Sequence, residues 1–529
     1  MSYDSPDVYP REIDLSQVAV GISPGTGAMV GASSRGPVRT RTFITDLKSL
    51  IDTFGEPDPT VSFMHYSAIA FLTEAKALWV TRVVGSGAYH GTIVSTNSNP
   101  GYAVAGAPLA PLSPKEAASY SFGVSDCFLI YAIGPGVYAN AELSVKVDNV
   151  VTTTTPHTFD ITVYRTSKGV KTVVETFTVS KSKGLDGFGS SLFIEDRVNL
   201  TSKYIRVLNN PAVSGDPYVM TSDQFLTQGA DGSTPSAGNI EGTYGWQLYA
   251  NKDDVSVNIL MAGGYSVAST ALVMDTIAQS RRDCIAILNM PPGNQDGSAE
   301  LTYRNTTLNL NSDRSAIFSP DVYIHDPYSN NSLFVPPDGY VGSVFSRTIR
   351  LRQPWYPAAG PNRGVLNVLG TRLNYTEGQR GLLYKSQVNF IRTISGQGTI
   401  VWGNKTLKSG MMSALSWINV RMLLIVIENT IKNALNSALF ELNNDFTRLK
   451  VSSQIDSYMR TVKAQNGVYN YKVVCDKSNN TDQIIDQNEL HVDVYVQPQR
   501  DIEYIQLQSV ITRTGVNFNE LIVTGGNFG

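Results

Sequence analysis

Catalysis needs a nucleophile beside a base, or ligands gathered at metal spacing. The stretch nearest to such an arrangement is GGYSVAS (263–269), in which Ser266 follows an apolar run and precedes a helix-like one. A nucleophile elbow is G-x-S-x-G on a strand-to-helix turn, and here Ala268 stands in place of the second glycine. The segment therefore reads as a Gly263-Gly264 turn with Ser266 capping a helix. The five histidines, His65, His90, His157, His325 and His491, are scattered, and none has a partner at triad or metal spacing. Cys127, Cys284 and Cys475 lie far apart in apolar or strand-like sequence. They form neither a disulfide framework nor a metal site, and read as buried free thiols suited to a reducing compartment. GDPYVMTSD (215–223) and DKSNNTDQ (476–483) carry carboxylates and amides but lack the glycine and terminal glutamate of a calcium loop. No P-loop or G-x-G-x-x-G occurs, and AGPNRG (359–364) is turn chemistry. The expectation is a protein without catalytic residues, cofactor or metal.

The bulk numbers bound the architecture. A chain of 529 residues exceeds one hydrophobic core and implies two to four domains. With 42% hydrophobic and 16% charged residues it has the composition of a soluble globular protein. A net charge of -3 and the lack of any dense basic run argue against nucleic-acid binding. The pair Arg281-Arg282 is expected to face solvent. MSYDSPDVYPREIDLS has no apolar core of a signal peptide, and the run 422–427 is stopped by Glu428 before it could span a bilayer. Synthesis in a cytoplasm and no membrane insertion are expected.

The elements that would position any site fall into several textures. Residues 1–20 read as an extended arm, because Pro6 and Pro10 forbid helix and Val8, Ile13 and Leu15 are sparse. GAMVGASSRGPV (27–38) is a small-residue strand and turn, followed by a short helix carrying Leu47, Leu50, Ile51 and Phe54, capped by Thr45 and closed by Gly55. From 91 to 240 Thr, Ser, Val and Gly dominate, with a hairpin over 158–180 turning at Lys168-Gly169 and strands near 126–134 and 202–208. This stretch reads as a separate, mostly β insertion. After 240, strands at 254–264, 283–291 and 315–327 alternate with helical sequence, the pattern of a parallel sheet with crossovers.

The last part predicts a long helix over 416–443, with Leu423, Ile427, Ile431, Leu435 and Leu439 as a buried row, and a second helix over 445–464. Strands at 469–476 and 489–498 follow, Val492, Val494 and Val496 alternating on the latter. Two strands alone are marginal. DIEYIQLQSVI (501–511) is available nearby, with Ile505 and Leu507 on one side and Ile502 and Tyr504 on the other. A charge at Val494 is expected to unfold this part.

These segments, in this order, resemble the contractile-tail sheath proteins of bacteriophages, relatives of the sheaths of type VI secretion systems and R-type bacteriocins. The resemblance rests on DVYPREIDLS (7–16), AMVGASSRGPV (28–38), DCIAILNMP (283–291) and PWYPAAGPNRG (354–364). It is most specific over TISGQGTIVWGNKTL (393–407), 417–435, 440–459, CDKSNNTDQIID (475–486) and ELHVDVYVQPQRDIEYIQL (489–507). Asp7 and Pro10 depart from the family's opening, and Pro10 cannot donate to a strand ladder.

The resemblance implies an α/β multidomain chain: an α/β sheath core, a large inserted mostly-β domain, and an α+β C-terminal domain whose small sheet is completed by strands from neighbouring subunits. The implied boundaries are 1–20 (N-terminal arm), 21–90 and 241–370 (core), 91–240 (outer β domain), 371–500 (inner C-terminal domain) and 501–529 (C-terminal arm). Strand exchange would involve Val8, Ile13, Val492, Val494, Val496, Ile502, Tyr504, Ile505 and Leu507, with flexible links near 21–27 and 498–500. Glu428, Lys432, Asp445, Arg448 and Lys450, on exposed helix faces, are candidates to meet a tail tube. The implied partners are further copies of the chain, a tail tube protein, and baseplate and tail terminator proteins. The implied place is a virion tail, assembled in the host bacterial cytoplasm. A secretion-system or bacteriocin sheath, a Thr/Ser-rich surface adhesin and a hydrolase using Ser266 are the competing readings. Any ester hydrolysis by the purified protein is expected to be unchanged by Ser266→Ala; loss of activity in that variant would restore the hydrolase.

Overall fold

A computed structural model describes residues 25–504, apart from 107–108, 111–119, 265–266 and 411–412. Its centre is built where the sequence is smallest and most apolar. Strand β1 (Gly27–Gly31) is buried at every position. A Cβ at Gly27 would lie 2.5 Å from Met261 Cε, and one at Gly31 2.9 Å from Met64 Cβ, so both glycines allow side chains to close on the backbone. The other strands of this sheet are β2 (Thr42–Ile44), β3 (Leu78–Arg82), β4 (Ile259–Met261), β5 (Ile285–Asn289), β6 (Ser315–Ser319), β7 (Val365–Leu366), β8 (Val388–Ile394) and β9 (Gly398–Val401). Their order across the sheet is β7-β9-β8-β6-β5-β4-β1-β3-β2. The six from β8 to β3 run parallel, and the strands outside them pair antiparallel.

Alternation puts Met29, Ile287 and Phe318 into one core and Val30, Leu288 and Ile317 into another. Burial on both faces is what a parallel sheet requires. Helices α1 (Met64–Leu72) and α3 (Asp338–Leu351) supply Phe71 and Val344 to the first face, and α2 (Ala268–Arg281) supplies Met274 and Ala278 to the second.

Four local expectations change. The 315–327 strand is two: β6 ends at Ser319, Pro320 has no N–H to donate, and Val322–Asp326 leaves to pair antiparallel with Asn331–Val335. The strand expected over 254–264 is only Ile259–Met261. The helix Leu47–Phe54 is capped by Asp46, which accepts from Ser49 N at 2.8 Å, while Thr45 donates to the Asp46 carboxylate. Arg281 is buried: it pairs with Asp283 at 2.8 Å and donates to the carbonyls of Tyr249, Asn251 and Val255. Only Arg282 of that pair is exposed.

Between β3 and β4 in chain order lie a five-stranded and a four-stranded sheet. The hairpin Thr158–Ser167/Val170–Val179 turns at Lys168 and Gly169, with φ of 50° and 79°, the positive pair that matches strand twist. Phe128 stacks on Phe159 at 5.4 Å, joining the two sheets in one core. Arg82, buried at the end of β3, donates to Ser33 O, Gly36 O and Pro135 O at 2.7–2.9 Å and so fastens these sheets to the central one.

The C-terminal elements are α4 (Ile418–Leu435), α5 (Asp445–Ala464), β10 (Val468–Val474) and β11 (Asp493–Pro498). Helix α4 stops eight residues short of the expected 443, and Asn436–Ala438 turns as a 3-10 helix. Leu439, expected in the buried row, is 65% exposed. Asn444 then caps α5 by accepting from Thr447 N at 2.9 Å. Helix α4 belongs to two cores: Ile418, Met422 and Ile425 pack under the central sheet, whereas Leu423 and Ile427 pack with Ile455, Met459 and Val468.

His65 and His90 are both buried, and desolvation lowers each to about 4. The folded state therefore holds neutral imidazole, while the unfolded chain protonates near pH 6.5. Stability is full above about pH 6.5 and is lost as pH falls toward 4, at a cost on the order of 3 kcal/mol per histidine. Melting temperatures should drop across that interval, and His90→Gln should reduce the drop; an unchanged melting temperature from pH 7 to 4.5 would contradict it.

Candidate functional site

Strands β10 and β11 form an antiparallel pair from Val468↔Pro498 to Val474↔Asp493, with a register shift between Val468 and Asn470. Among the described residues this sheet has two strands. The period of two divides β11 cleanly: Asp493, Tyr495 and Gln497 are exposed, while Val492, Val494 and Val496 are half-buried toward α4. Beside β11 runs an apolar groove of about 470 Å³. Its walls are Leu424, Ile427, Ile431 and Leu435 of α4 and the three valines, with Glu428 and Lys432 at the rim. Among the described residues the other edge of β11 is unpaired, next to a groove that can take alternate apolar side chains.

The approach to β11 is tied by the Asn479-Asn480 pair, which in sequence stands out as a failed calcium loop and as part of the stretch 475–486 that carries the family resemblance. Asn480, 1% exposed, accepts from His491 N at 2.7 Å and donates to His491 O at 2.9 Å. Asn479 reaches the Asp493 carboxylate at 3.0 Å. The two amides hold the chain straight into the strand. The signal was the Asn-Asn pair itself, which mimics a strand partner for one residue.

The exit from β11 is also tied, where a flexible link was expected at 498–500. Gln499 N donates to Gly467 O at 3.2 Å, and the Arg500 guanidinium lies 5.7 Å over the Trp417 ring. Asn404 donates to Asp501 at 3.1 Å. Glu503 Oε1 accepts from Tyr384 OH at 2.5 Å and Trp417 Nε1 at 2.7 Å. Burial raises the Asp501 carboxyl and, with the Glu503 carboxylate second, raises Tyr384. The carboxylates face the body, so Ile502 and Tyr504 project outward, 82% and 81% exposed.

Of the other residues singled out from sequence, Val8, Ile13, Ser266, Ile505 and Leu507 lie outside the described residues. Lys432, Asp445 and Lys450 are exposed. Glu428 pairs with Arg421 at 3.2 Å and Arg314 at 3.6 Å. Arg448 is not on an exposed face: it is 5% exposed, turned back onto Asn443 and Asp445 at 2.6 Å each. Its long side chain covers the end of the helix instead of leaving it.

Comparison with known proteins fits this geometry. Residues 247–407 match the phage tail sheath protein central domain and 413–512 the phage tail sheath C-terminal domain. The chain is 30% identical over 385 residues to the tail sheath protein of Enterobacteria phage T4, covering 67% of this chain and 56% of that protein. It is 30% identical over 378 residues to the tail sheath protein of Vibrio phage KVP40, covering 66% and 55%. The chain thus spans about half the length of the curated relatives it matches. The fold is similar, with a TM-score of 0.54 at 14% identity over 96% of this chain and 98% of the other, to the sheath of an extracellular contractile injection system, PVC, in its contracted state.

Half-burial at the groove, in place of full burial, moderates the expectation for Val494. Val494→Asp should cost the monomer about 1–2 kcal/mol. Ile455→Ala, at 1% exposure in the same core, should cost about 2–5 kcal/mol. Thermal melts check both, and equal losses for the two variants would contradict the placement of the groove.

Proposed function

The chain belongs to the phage tail sheath protein family, and we propose that it is the structural subunit of a contractile sheath. On this reading it polymerises as a helix around a tail tube and contracts to drive the tube through the host cell envelope for genome delivery. The observation that carries the reading is the edge of β11, unfilled among the described residues, beside its apolar groove. Arms from neighbouring copies add strands there: main-chain bonds supply affinity and alternating side chains supply register. Each main-chain bond contributes roughly 0.5–1.5 kcal/mol net, so a strand of several bonds holds two copies together. The residues assigned to the exchange are Val8 and Ile13 of the N-terminal arm, and Ile502, Tyr504, Ile505 and Leu507 of the C-terminal one. Val492, Val494 and Val496 receive them.

A subunit gives its arms to copies other than those from which it receives. Such a contact is heterologous and does not close, which generates an open helix. The extended and contracted sheaths are two packings of the same threaded chains, and contraction runs downhill by gaining contact between subunits. The stretch 371–500 is assigned the inner position against the tube, with Lys432, Asp445 and Lys450 available to it. The β-rich stretch 91–240 is assigned to the outside as an inserted domain. Baseplate and terminator proteins would bound the polymer, in a virion tail assembled in the host cytoplasm. The likeness in fold to an injection-system sheath supports a second reading, in which the same subunit serves a machine that carries no genome.

Deleting residues 1–20 or 505–529 should leave a folded monomer, with a melting temperature close to that of the full chain, that forms no tubes by negative-stain microscopy. Long tubes from either truncated protein would sink arm exchange.

A further inference from the structure

A second, larger cavity of about 1010 Å³ adjoins the end of the β10–β11 hairpin, between the helix Glu377–Lys385, β8 and the 499–504 segment. Its character is opposite to that of the valine groove. Arg392 lies 4.8 Å over the Trp402 ring and Arg363 5.5 Å over the Tyr356 ring. With Arg380, Lys385 and Arg500, five cations line the cavity against the three carboxylates Glu377, Asp501 and Glu503, a balance of +2. Asp501 and Glu503 are already engaged by Asn404, Tyr384 and Trp417. Among the described residues, Arg363, Arg380, Arg392 and Arg500 form no ion pair. Burial first, and then the like charge of Arg380, lowers Arg392. Arg363 donates to Pro357 O and Arg380 to Tyr375 O, each at 2.7 Å, and the wall is an aromatic and guanidinium surface with an excess of positive charge.

The chain carries a complementary segment. Residues 1–24 contain Asp4, Asp7, Glu12 and Asp14 against Arg11 alone, four negative to one positive, whereas 505–529 are balanced by Arg513 and Glu520. Within the acidic segment, Pro6 and Pro10 have no N–H for a strand ladder. Proline also disposes its neighbours to the extended polyproline conformation, which docks on aromatic-lined grooves. The part of the arm around the prolines is therefore a poor strand and a good fit to this surface.

We propose that the basic aromatic groove seats the acidic, proline-bearing stretch 4–10 of a second copy, leaving the residues that follow Pro10 to pair on the open edge of β11. On this placement Val8, assigned above to the strand exchange, lies in the basic aromatic groove instead, and Ile13 remains on the sheet. The inference rests on arm exchange between copies and adds where the arm is first held. Electrostatic attraction would draw the arm to the right end of the hairpin before pairing begins.

The test is a charge swap in the full-length chain, read by the protein concentration at which tubes form. Arg380→Glu with Arg392→Glu should raise that concentration at least about tenfold with the monomer's melting temperature unchanged. Adding Asp4→Lys and Asp7→Lys to the same chain should bring it back to within about threefold of the natural protein. Tubes from the groove variant at the natural concentration would overturn the docking while leaving arm exchange standing. Failure of the arm reversal to restore them would overturn it as well, and assign the groove to another acidic partner. If the groove variant melts early, a labelled peptide of residues 1–16 is titrated into the natural full-length protein. Binding that weakens at least about tenfold from about 0.05 M to about 0.5 M salt supports the docking, and no binding overturns it.

Discussion

A β-strand with an unpaired edge and an apolar face cannot be left open at the same time without cost. Among the described residues β11 is paired along one edge only, and its valines meet α4 across a groove and not in close packing. Water can satisfy the edge but not the groove. A second strand added there would satisfy both, which is the physical basis of the proposal that the edge receives another chain. Everything around it serves to keep it straight: Asn479 and Asn480 at its start, Asp501 and Glu503 just past its end.

The edge is not an isolated module. Helix α4 carries Ile418, Met422 and Ile425 into the core under the nine-stranded sheet and Leu423 and Ile427 into the core under β10 and β11. A pull on a strand paired with β11 is therefore transmitted through one helix into the largest core of the subunit. The tie at Glu503 adds a second path, since Tyr384 and Trp417 stand on the helix beside β8 and at the start of α4. Arg82 performs the corresponding task for the β-rich stretch, holding the carbonyls of Ser33 and Gly36 in the loop after β1 and of Pro135 at the end of a strand of the five-stranded sheet.

Periodicity made much of this readable in advance. The alternation of Val492, Val494 and Val496, the helix over 445–464 and the Lys168-Gly169 turn each follow from spacing and local residue type alone. What escaped the sequence depended on partners far along the chain. Arg281 looks like half of a solvent-facing pair until the carbonyls of Tyr249, Asn251 and Val255 converge on it. Leu439 continues a helical row on paper, but α4 ends before it and leaves it exposed. Asp501 and Glu503 read as the polar positions of a terminal strand, and nothing local announces that Asn404, Tyr384 and Trp417 await them. The basic aromatic groove was likewise invisible, because its arginines come from four separate segments that only the fold brings together.

The central claim, that β11 lacks a partner until another copy provides one, is tested most directly by hydrogen–deuterium exchange on the natural protein in its monomeric and tubular states. The amides of 493–498 that are not bonded to β10 should exchange at near-unprotected rates in the monomer and become strongly protected in the tube. Protection of those same amides already in the monomer, unchanged on assembly, would mean that the sheet is closed within a single chain.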